Sequence, residues 1–202
     1  MMEDDIYKTI TKPTQGELFK DKNSKFYGFA FPVTNEEQIK QHLEAIKKEH
    51  YAARHWCYAY QIGTETLQYR ANDDGEPNNS AGMPIYGQIQ SFEVTNILII
   101  VVRYYGGVKL GVGGLINAYR TGAQLALVAS KIIERTINKE FQLQFEYKNM
   151  SKVMRILKEN DVAITNQKLE LDCLLEISVR KNHSSKVFDL FSQFFGVDIK
   201  EL

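Results

Sequence analysis

Several features that would assign a function at once are missing from this sequence. The 202 residues carry 25 Lys and Arg against 25 Asp and Glu, and this net charge of +0 excludes a global field that draws the protein onto nucleic acid or an anionic membrane. Only two cysteines are present, Cys57 and Cys173, and their apolar surroundings favour buried free thiols over a disulfide or a metal pair. The apolar run NILIIVV is too short to span a bilayer, and the acidic N-terminus has no signal-peptide pattern. We therefore expect a cytoplasmic protein without membrane contact, in which any anion site is local.

The motifs of common cofactors and metal sites are also missing. The glycine-rich stretch matches neither the dinucleotide-binding fingerprint nor the P-loop. His42, His50 and His183 have no metal-ligand spacing, and no Ser-His-Asp or Cys-His arrangement is indicated. The sequence thus predicts no cofactor and no metal, and it leaves open whether the protein is an enzyme.

What is present is a mixture of strand and helix patterns typical of two α+β domains. In a first domain, residues 1–138, strands are predicted at 24–33 and 55–62, and a functional or disordered loop at 70–89. A helix is predicted at 34–50, beginning with a capping box of Thr34 and Glu37. Residues 94–105 are apolar on both faces, which predicts a central strand, and a helix follows from about 113 to 131. In a second domain, residues 139–202, the order strand-helix-strand-strand-helix-strand predicts a ferredoxin-like βαββαβ sandwich.

The stretch VVRYYGGVKLGVGG, residues 101–114, is the first candidate site. Five glycines lie within nine residues just before a helix, where unpaired N–H groups and the helix dipole favour an anion. Arg103 and Lys109 add positive charge. One interpretation is a cradle for a phosphate or a nucleic-acid backbone. The alternative is a tight turn that only lets the helix pack on the sheet.

Two further segments carry polar groups that can act in chemistry. In NDDGEP, the carboxylates of Asp73, Asp74 and Glu76 are suited to a divalent cation, to pairing with Arg103 or Lys109, or to a solvated turn. In ARHWCYAY, His55 at the start of a strand is either a general base or a structural hydrogen-bonding group.

These segments, together with SAGMPI and NAY and in this order, resemble the YigZ/IMPACT family over about residues 17–130. The resemblance implies an N-terminal α/β domain of the ribosomal-protein and elongation-factor type. It also implies a ferredoxin-like C-terminal domain similar to one in elongation factor G. The sequence departs from the family after DDGEP. The family usually has a small residue, a glycine and a threonine there, whereas this chain has Asn78, Asn79 and Ser80. Asn tolerates left-handed backbone geometry, so we expect the loop to keep its shape.

Eukaryotic members of this family resemble regulators of translation that act through protein contacts. The resemblance therefore predicts a translation-associated regulatory factor that binds RNA, the ribosome or a translation-related protein through the glycine-rich cleft. Two alternatives remain: an enzyme acting on a phosphorylated or anionic small molecule, and a protein-interaction module. The predicted ligand-binding residues are Arg54, His55, Asp73, Asp74, Glu76, Arg103, Tyr104, Gly106, Gly107, Lys109, Gly111, Gly113 and Gly114.

Overall fold

The computed structural model describes residues 5–202, which form two α+β units. The first unit is Tyr7–Arg135, and the second combines residues 5 and 6 with Thr136–Leu202. The domain boundary at residue 138 stays a prediction, and residues 1–4 of the predicted first domain lie outside the described residues. No helix in this described range is long and apolar enough to cross a membrane.

The first unit is built on a five-stranded antiparallel sheet in the order β2-β3-β6-β4-β5. Strands β1 and β7 form a separate two-stranded sheet. The elements in chain order are β1 Ile6–Ile10, β2 Glu17–Asp21, β3 Ser24–Pro32, α1 Glu36–Glu49, β4 His55–Ile62, β5 Gln68–Asn72, α2 Gly82–Ser91, β6 Ile97–Tyr104, α3 Gly111–Ala129 and β7 Ile132–Thr136.

Strand β6 lies in the middle of this sheet and is buried on both faces, as its continuous apolar run predicts. Ile97, Ile99 and Val101 pack against α2 and α3, on what we call the α3 face. The alternate residues, among them Leu98 and Ile100, pack against α1 on the opposite α1 face. Because side chains alternate along a strand, each functional residue of β4 and β6 is assigned to one face by its position alone.

Two local predictions in this unit are wrong. Helix α1 is capped by Asn35, whose side chain accepts from the N–H of Gln38, rather than by the predicted box of Thr34 and Glu37. The region 70–89 is not a continuous loop, because β5 ends within it and α2 begins at Gly82. The sequence did not reveal α2 because its buried residues include small and large side chains and form no amphipathic pattern. Its Pro84 lies in the first turn, where a helix tolerates proline.

The second unit has the predicted ferredoxin-like topology. Its elements are β8 Asn138–Glu146, α4 Met150–Glu159, β9 Ala163–Lys168, β10 Asp172–Arg180, α5 Lys181–Ser192 and β11 Val197–Glu201. The strands form an antiparallel sheet in the order β11-β8-β10-β9. Leu143 and Ile177 from the sheet, Val153 from α4 and Phe191 from α5 share one buried core.

A buried ion pair joins the two chain segments of this second unit. The fully buried carboxylate of Asp5 accepts hydrogen bonds from Nε and Nη2 of Arg180 at 2.7 and 3.0 Å. The bonds from Arg180 lower the pKa of Asp5 below its ordinary value of 3.8. Residue 5 is thereby fixed to the end of β10.

Candidate functional site

A cleft of about 520 Å³ lies on the α3 face of the first unit, where β4 begins, β6 ends and α3 starts. This volume is in the range of small-ligand sites. The residues that line it are Arg54, His55, Glu76, Pro77, Arg103, Tyr105, Lys109, Leu110, Gly111, Val112 and Leu115. The structure therefore brings together six of the predicted site residues: Arg54, His55, Glu76, Arg103, Lys109 and Gly111.

The floor of the cleft holds a buried carboxylate between two donors. Glu76 and Arg103 are 8% and 5% exposed. Arg103 Nη1 donates to Glu76 Oε1 at 2.5 Å, and the hydroxyl of Tyr119 donates to the same oxygen at 2.7 Å. Of the three roles open for Glu76, the structure thus shows pairing with Arg103. The pair holds the guanidinium in position, because either charge buried without the other would cost free energy.

Arg103 keeps hydrogen-bonding capacity beyond this pair. Its Nε is buried and has no hydrogen-bond partner among residues 5–202. The guanidinium carbon lies 5.5 Å from the ring centre of Phe26 and 5.4 Å from that of Tyr105. A buried N–H without a partner costs free energy, and a charge-assisted bond to an anion relieves that cost. Arg103 is therefore a buried cation with one N–H group that the described residues leave without a hydrogen-bond partner.

The start of α3 adds backbone donors to the same cleft. Gly111 is the first helical residue, and Leu110 before it provides no side-chain cap. The first N–H groups of a helix have no intrahelical partner and lie at the positive end of its dipole. Arg54 and Lys109 are exposed at the rim, and Arg54 lies 5.7 Å from the ring centre of Tyr105. The cleft thus has three cations against one carboxylate, although the whole chain is neutral.

His55 is held in a defined orientation at the cleft wall. Its Nδ1 lies 2.9 Å from the backbone carbonyl oxygen of Asp74, and because a carbonyl only accepts, Nδ1 carries a proton. In the neutral ring, Nε2 is then an acceptor, 3.9 Å from Glu76 Oε1. This geometry suits both interpretations of the residue, the structural group and the base.

Asp73 and Asp74 shape the loop instead of lining the cleft. The carboxylate of Asp73 accepts from the backbone N–H groups of Asn79, Ala81 and Gly82 at 2.8–2.9 Å, and so caps α2. The carboxylate of Asp74 accepts from the N–H of Trp56 at 2.7 Å. Asn79 has φ 60, the left-handed geometry expected of it. In the described part of the chain, no group of three Asp, Glu, His or Cys side chains converges in a way that could hold a metal.

The five glycines divide into different roles. A Cβ on Gly106 would lie 2.1 Å from the carbonyl carbon of Asn23, so this glycine allows the segment after β6 to pack closely on the turn between β2 and β3. Gly111 has φ +73, which permits the sharp entry into α3. Gly107, Gly113 and Gly114 do not line the cleft.

Tyr104 lies on the other side of the sheet from Arg103. Its hydroxyl is 2.9 Å from Nδ1 of His50, and its ring contacts Tyr27. These are α1-face residues, so Tyr104 is not part of the cleft. Strand alternation is the reason, since the neighbour of an α3-face residue must point the opposite way.

Tyr119 is a residue of the site that sequence reasoning missed. It is fully buried on α3, and burial, together with Cys57 and Glu76 beside it, raises the pKa of its hydroxyl. One sequence signal was available, since Tyr119 is the only aromatic residue of α3 and lies one turn from the buried Leu115.

The thiol of Cys57 is buried next to this network. It donates to the backbone oxygen of Asp73 at 2.9 Å, and burial raises its pKa. Both cysteines are buried and free, as predicted. A raised pKa makes Cys57 a packing residue rather than a nucleophile.

Comparison with known proteins gives consistent matches. The Impact N-terminal domain matches residues 22–127. An IMPACT family member of Haemophilus influenzae is 34% identical over 187 residues, 89% of this chain and 87% of that protein. The IMPACT family member YigZ of Escherichia coli is 34% identical over 160 residues, 78% of each chain. A crystal structure described as that of a hypothetical protein is 28% identical, with a TM-score of 0.73 over 98% of both chains.

Proposed function

The chain belongs to the IMPACT family, and from that premise we propose that it is a translation-associated regulatory protein whose cleft binds a phosphate group of RNA. The translation role is supported by the resemblance of eukaryotic family members to translation regulators and of the second unit to a domain of elongation factor G. The ligand class is supported by the cleft itself. One observation carries the proposal: the Nε of Arg103 is buried and has no hydrogen-bond partner among residues 5–202. Arg103 lines the cleft at which α3 begins without a side-chain cap.

A phosphate matches the donors that the cleft provides. Backbone N–H groups at a helix start and a guanidinium both bind phosphate oxygens, and Lys109 and Arg54 add charge at the rim. Because the chain as a whole is neutral, the attraction is confined to this part of the surface. Binding is then expected to weaken steeply with salt, by about 0.7 units of log K per log unit of salt for each phosphate contacted in a single strand.

The test uses Arg54→Gln, Lys109→Gln and the double variant. Both side chains are exposed, so their replacement is expected to change stability by no more than about 0.5 kcal/mol. Anisotropy of a labelled oligoribonucleotide and cosedimentation with ribosomes are measured at low salt. Each single substitution should weaken binding about fivefold, corresponding to roughly 1 kcal/mol, and the double variant more.

Two exposed lysines of the second unit, Lys158→Gln and Lys186→Gln, serve as controls of equal charge change. They should bind RNA as the wild type does. The proposal is wrong if the wild-type protein retains neither RNA nor ribosomes, or if the cleft variants bind as well as the controls.

A second candidate function is an enzyme acting on a phosphorylated small molecule. One observation favours it, the orientation of His55 with Nδ1 on the Asp74 carbonyl and Nε2 left as an acceptor beside Glu76. Thermal unfolding with nucleoside monophosphates and Mg²⁺, followed by phosphorus NMR, tests it. The candidate requires that one compound raises the melting temperature and is consumed, and that His55→Gln abolishes consumption while the melting shift remains. If no compound shifts the melting temperature, this candidate is rejected.

A further inference from the structure

A second group of cations lies at the same end of the sheet as the cleft. The tip of the β2–β3 hairpin carries Lys20 near the end of β2, Lys22 in the turn and Lys25 near the start of β3, and we call this tip the basic hairpin. All three lysines are exposed, and none forms an ion pair within residues 5–202. No sequence motif pointed to this hairpin.

The basic hairpin places two lysines of like charge directly opposite each other. Lys20 on β2 is directly opposite Lys25 on β3, so their Cβ atoms are separated by about 5 Å on one face. Like charges at this position destabilise a strand pair. Lys22, in the turn, brings a third ammonium group to the same tip. The tip also carries the carboxylate of Asp21, which forms no ion pair with these lysines among residues 5–202, so the charge of the tip stays positive and favours an anion.

The basic hairpin is attached to the glycine segment of the cleft. The N–H of Gly106 donates to Ser24 Oγ at 3.1 Å, and Gly106 packs directly on the backbone of Asn23. Strands β2, β3, β6 and β4 are consecutive neighbours, so three strand spacings of about 4.8 Å separate the ends of β2 and β4. Lys20 on β2 is thus roughly 14 Å, and Lys25 on β3 roughly 10 Å, from the start of the cleft at His55 across one end of the sheet.

The two cationic sites lie on opposite faces of that end. Lys25 pairs with Tyr104 and shares the α1 face, whereas Arg103 and the cleft are on the α3 face. Gly106 and Gly107 lie between them and have no side chains that would obstruct a ligand. A single small anion cannot reach both sites, so only a polyanion can contact them together.

We propose that the basic hairpin is a second phosphate-binding surface, and that an RNA strand held in the cleft passes over Gly106 and Gly107 to reach it. The inference rests on the proposed function of the cleft. RNA fits better than an acidic protein because lysines are depleted in protein–protein interfaces, whereas nucleic-acid surfaces use them as phosphate contacts. The hairpin tip is also polar throughout: it consists of Lys20, Asp21, Lys22, Asn23 and Lys25.

The experiment replaces Lys20, Lys22 and Lys25 together by Gln. A matched variant replaces Lys12, Lys40 and Lys131, three other exposed lysines of the first unit, so that the change in net charge is identical. Affinity is measured for a single-stranded oligoribonucleotide of about 12 nucleotides, and for a dinucleotide with a 5′-phosphate that is long enough for the cleft only. Urea unfolding checks the fold, and its midpoint should be unchanged or higher once the like charges are removed.

The hairpin variant should bind the long oligonucleotide about 10- to 100-fold more weakly at low salt. The slope of log K against log salt should fall by about 2, the value for three phosphate contacts of a single strand. The dinucleotide should bind as tightly as it binds the wild type. The matched variant should lose less than about threefold for either ligand.

The outcomes separate this inference from the proposed function. If Arg54 and Lys109 substitutions weaken binding but the hairpin variant binds like the matched variant, the inference is overturned and the cleft proposal stands. If the hairpin variant loses affinity while the cleft substitutions have no effect, the continuous path and the cleft proposal are both wrong. Polyglutamate that binds as tightly as the oligoribonucleotide would overturn RNA as the occupant.

Discussion

The buried pair of Arg103 and Glu76 yields the sharpest prediction about stability. Arg103→Met leaves the carboxylate of Glu76 buried, with the hydroxyl of Tyr119 as its remaining hydrogen-bond donor among residues 5–202. Removal of one member of a buried ion pair costs about 3–5 kcal/mol. Glu76→Gln leaves the guanidinium buried without its counter-charge and should cost a similar amount. The double variant keeps an amide oxygen for Tyr119 and has no unpaired charge, so we expect a coupling of at least about 2 kcal/mol.

Trp56 makes the assay specific for the first unit. It is the only tryptophan of the chain and lies in β4, where its backbone N–H donates to the carboxylate of Asp74 beside the cleft. Fluorescence during urea unfolding therefore reports the unit that contains the pair, and linear extrapolation gives the free energy of unfolding for each variant. Arg120→Met is the control, because this exposed arginine of α3 should tolerate replacement within about 0.5 kcal/mol.

Additivity would refute the reasoning. If the two single substitutions sum to the double variant within about 0.5 kcal/mol, Arg103 and Glu76 do not interact in the folded protein. Equal destabilisation by Arg120→Met would show that the effect belongs to any arginine replacement and not to the pair.

Three other predictions concern residues outside the cleft lining. Asp73→Ala should destabilise the first unit by about 2 kcal/mol in the Trp56 assay, because it removes the cap of α2, without changing RNA affinity. Cys57 should react with a disulfide reagent at about pH 8 only as fast as the protein unfolds, because burial raises its pKa; fast labelling of the native protein would contradict this. The stabilisation from Asp5, whose folded pKa is lowered, is present above its ordinary value of 3.8 and is lost as the pH falls through the folded value. Calorimetric unfolding of the second unit should therefore depend less on pH between about 2 and 5 in Asp5→Asn than in the wild type.

The sequence predicted those features that depend on simple alternation. The continuous apolar run of β6 indicated its central position, and the order of patterns after residue 138 indicated the ferredoxin-like topology. Of the residues considered for one shared cleft, Glu76, Arg103 and Gly111 line it, whereas Asp73, Gly113 and Gly114 do not. The YigZ/IMPACT resemblance is confirmed by the family match.

The remainder depends on three-dimensional contacts that one sequence does not display. Asp73 and Glu76 are three residues apart in one acidic turn, yet the first caps a helix and the second pairs with Arg103. Tyr119 reaches Glu76 across 43 residues of sequence, which periodicity cannot reveal. The opposition of Lys20 and Lys25 depends on the register of β2 and β3.

Nuclear magnetic resonance of isotope-labelled protein tests the anion-binding cleft most directly. The backbone N–H groups of Gly111 and Val112, which line the cleft, and the Nε–H of Arg103 are observed while inorganic phosphate, then a short oligoribonucleotide, is added. Saturable shifts concentrated on these groups and absent from α4 and α5 are the result that we expect, since the cleft is where unpaired donors meet positive charge. Unchanged resonances at the start of α3 and at Arg103, while RNA still binds, would contradict the account.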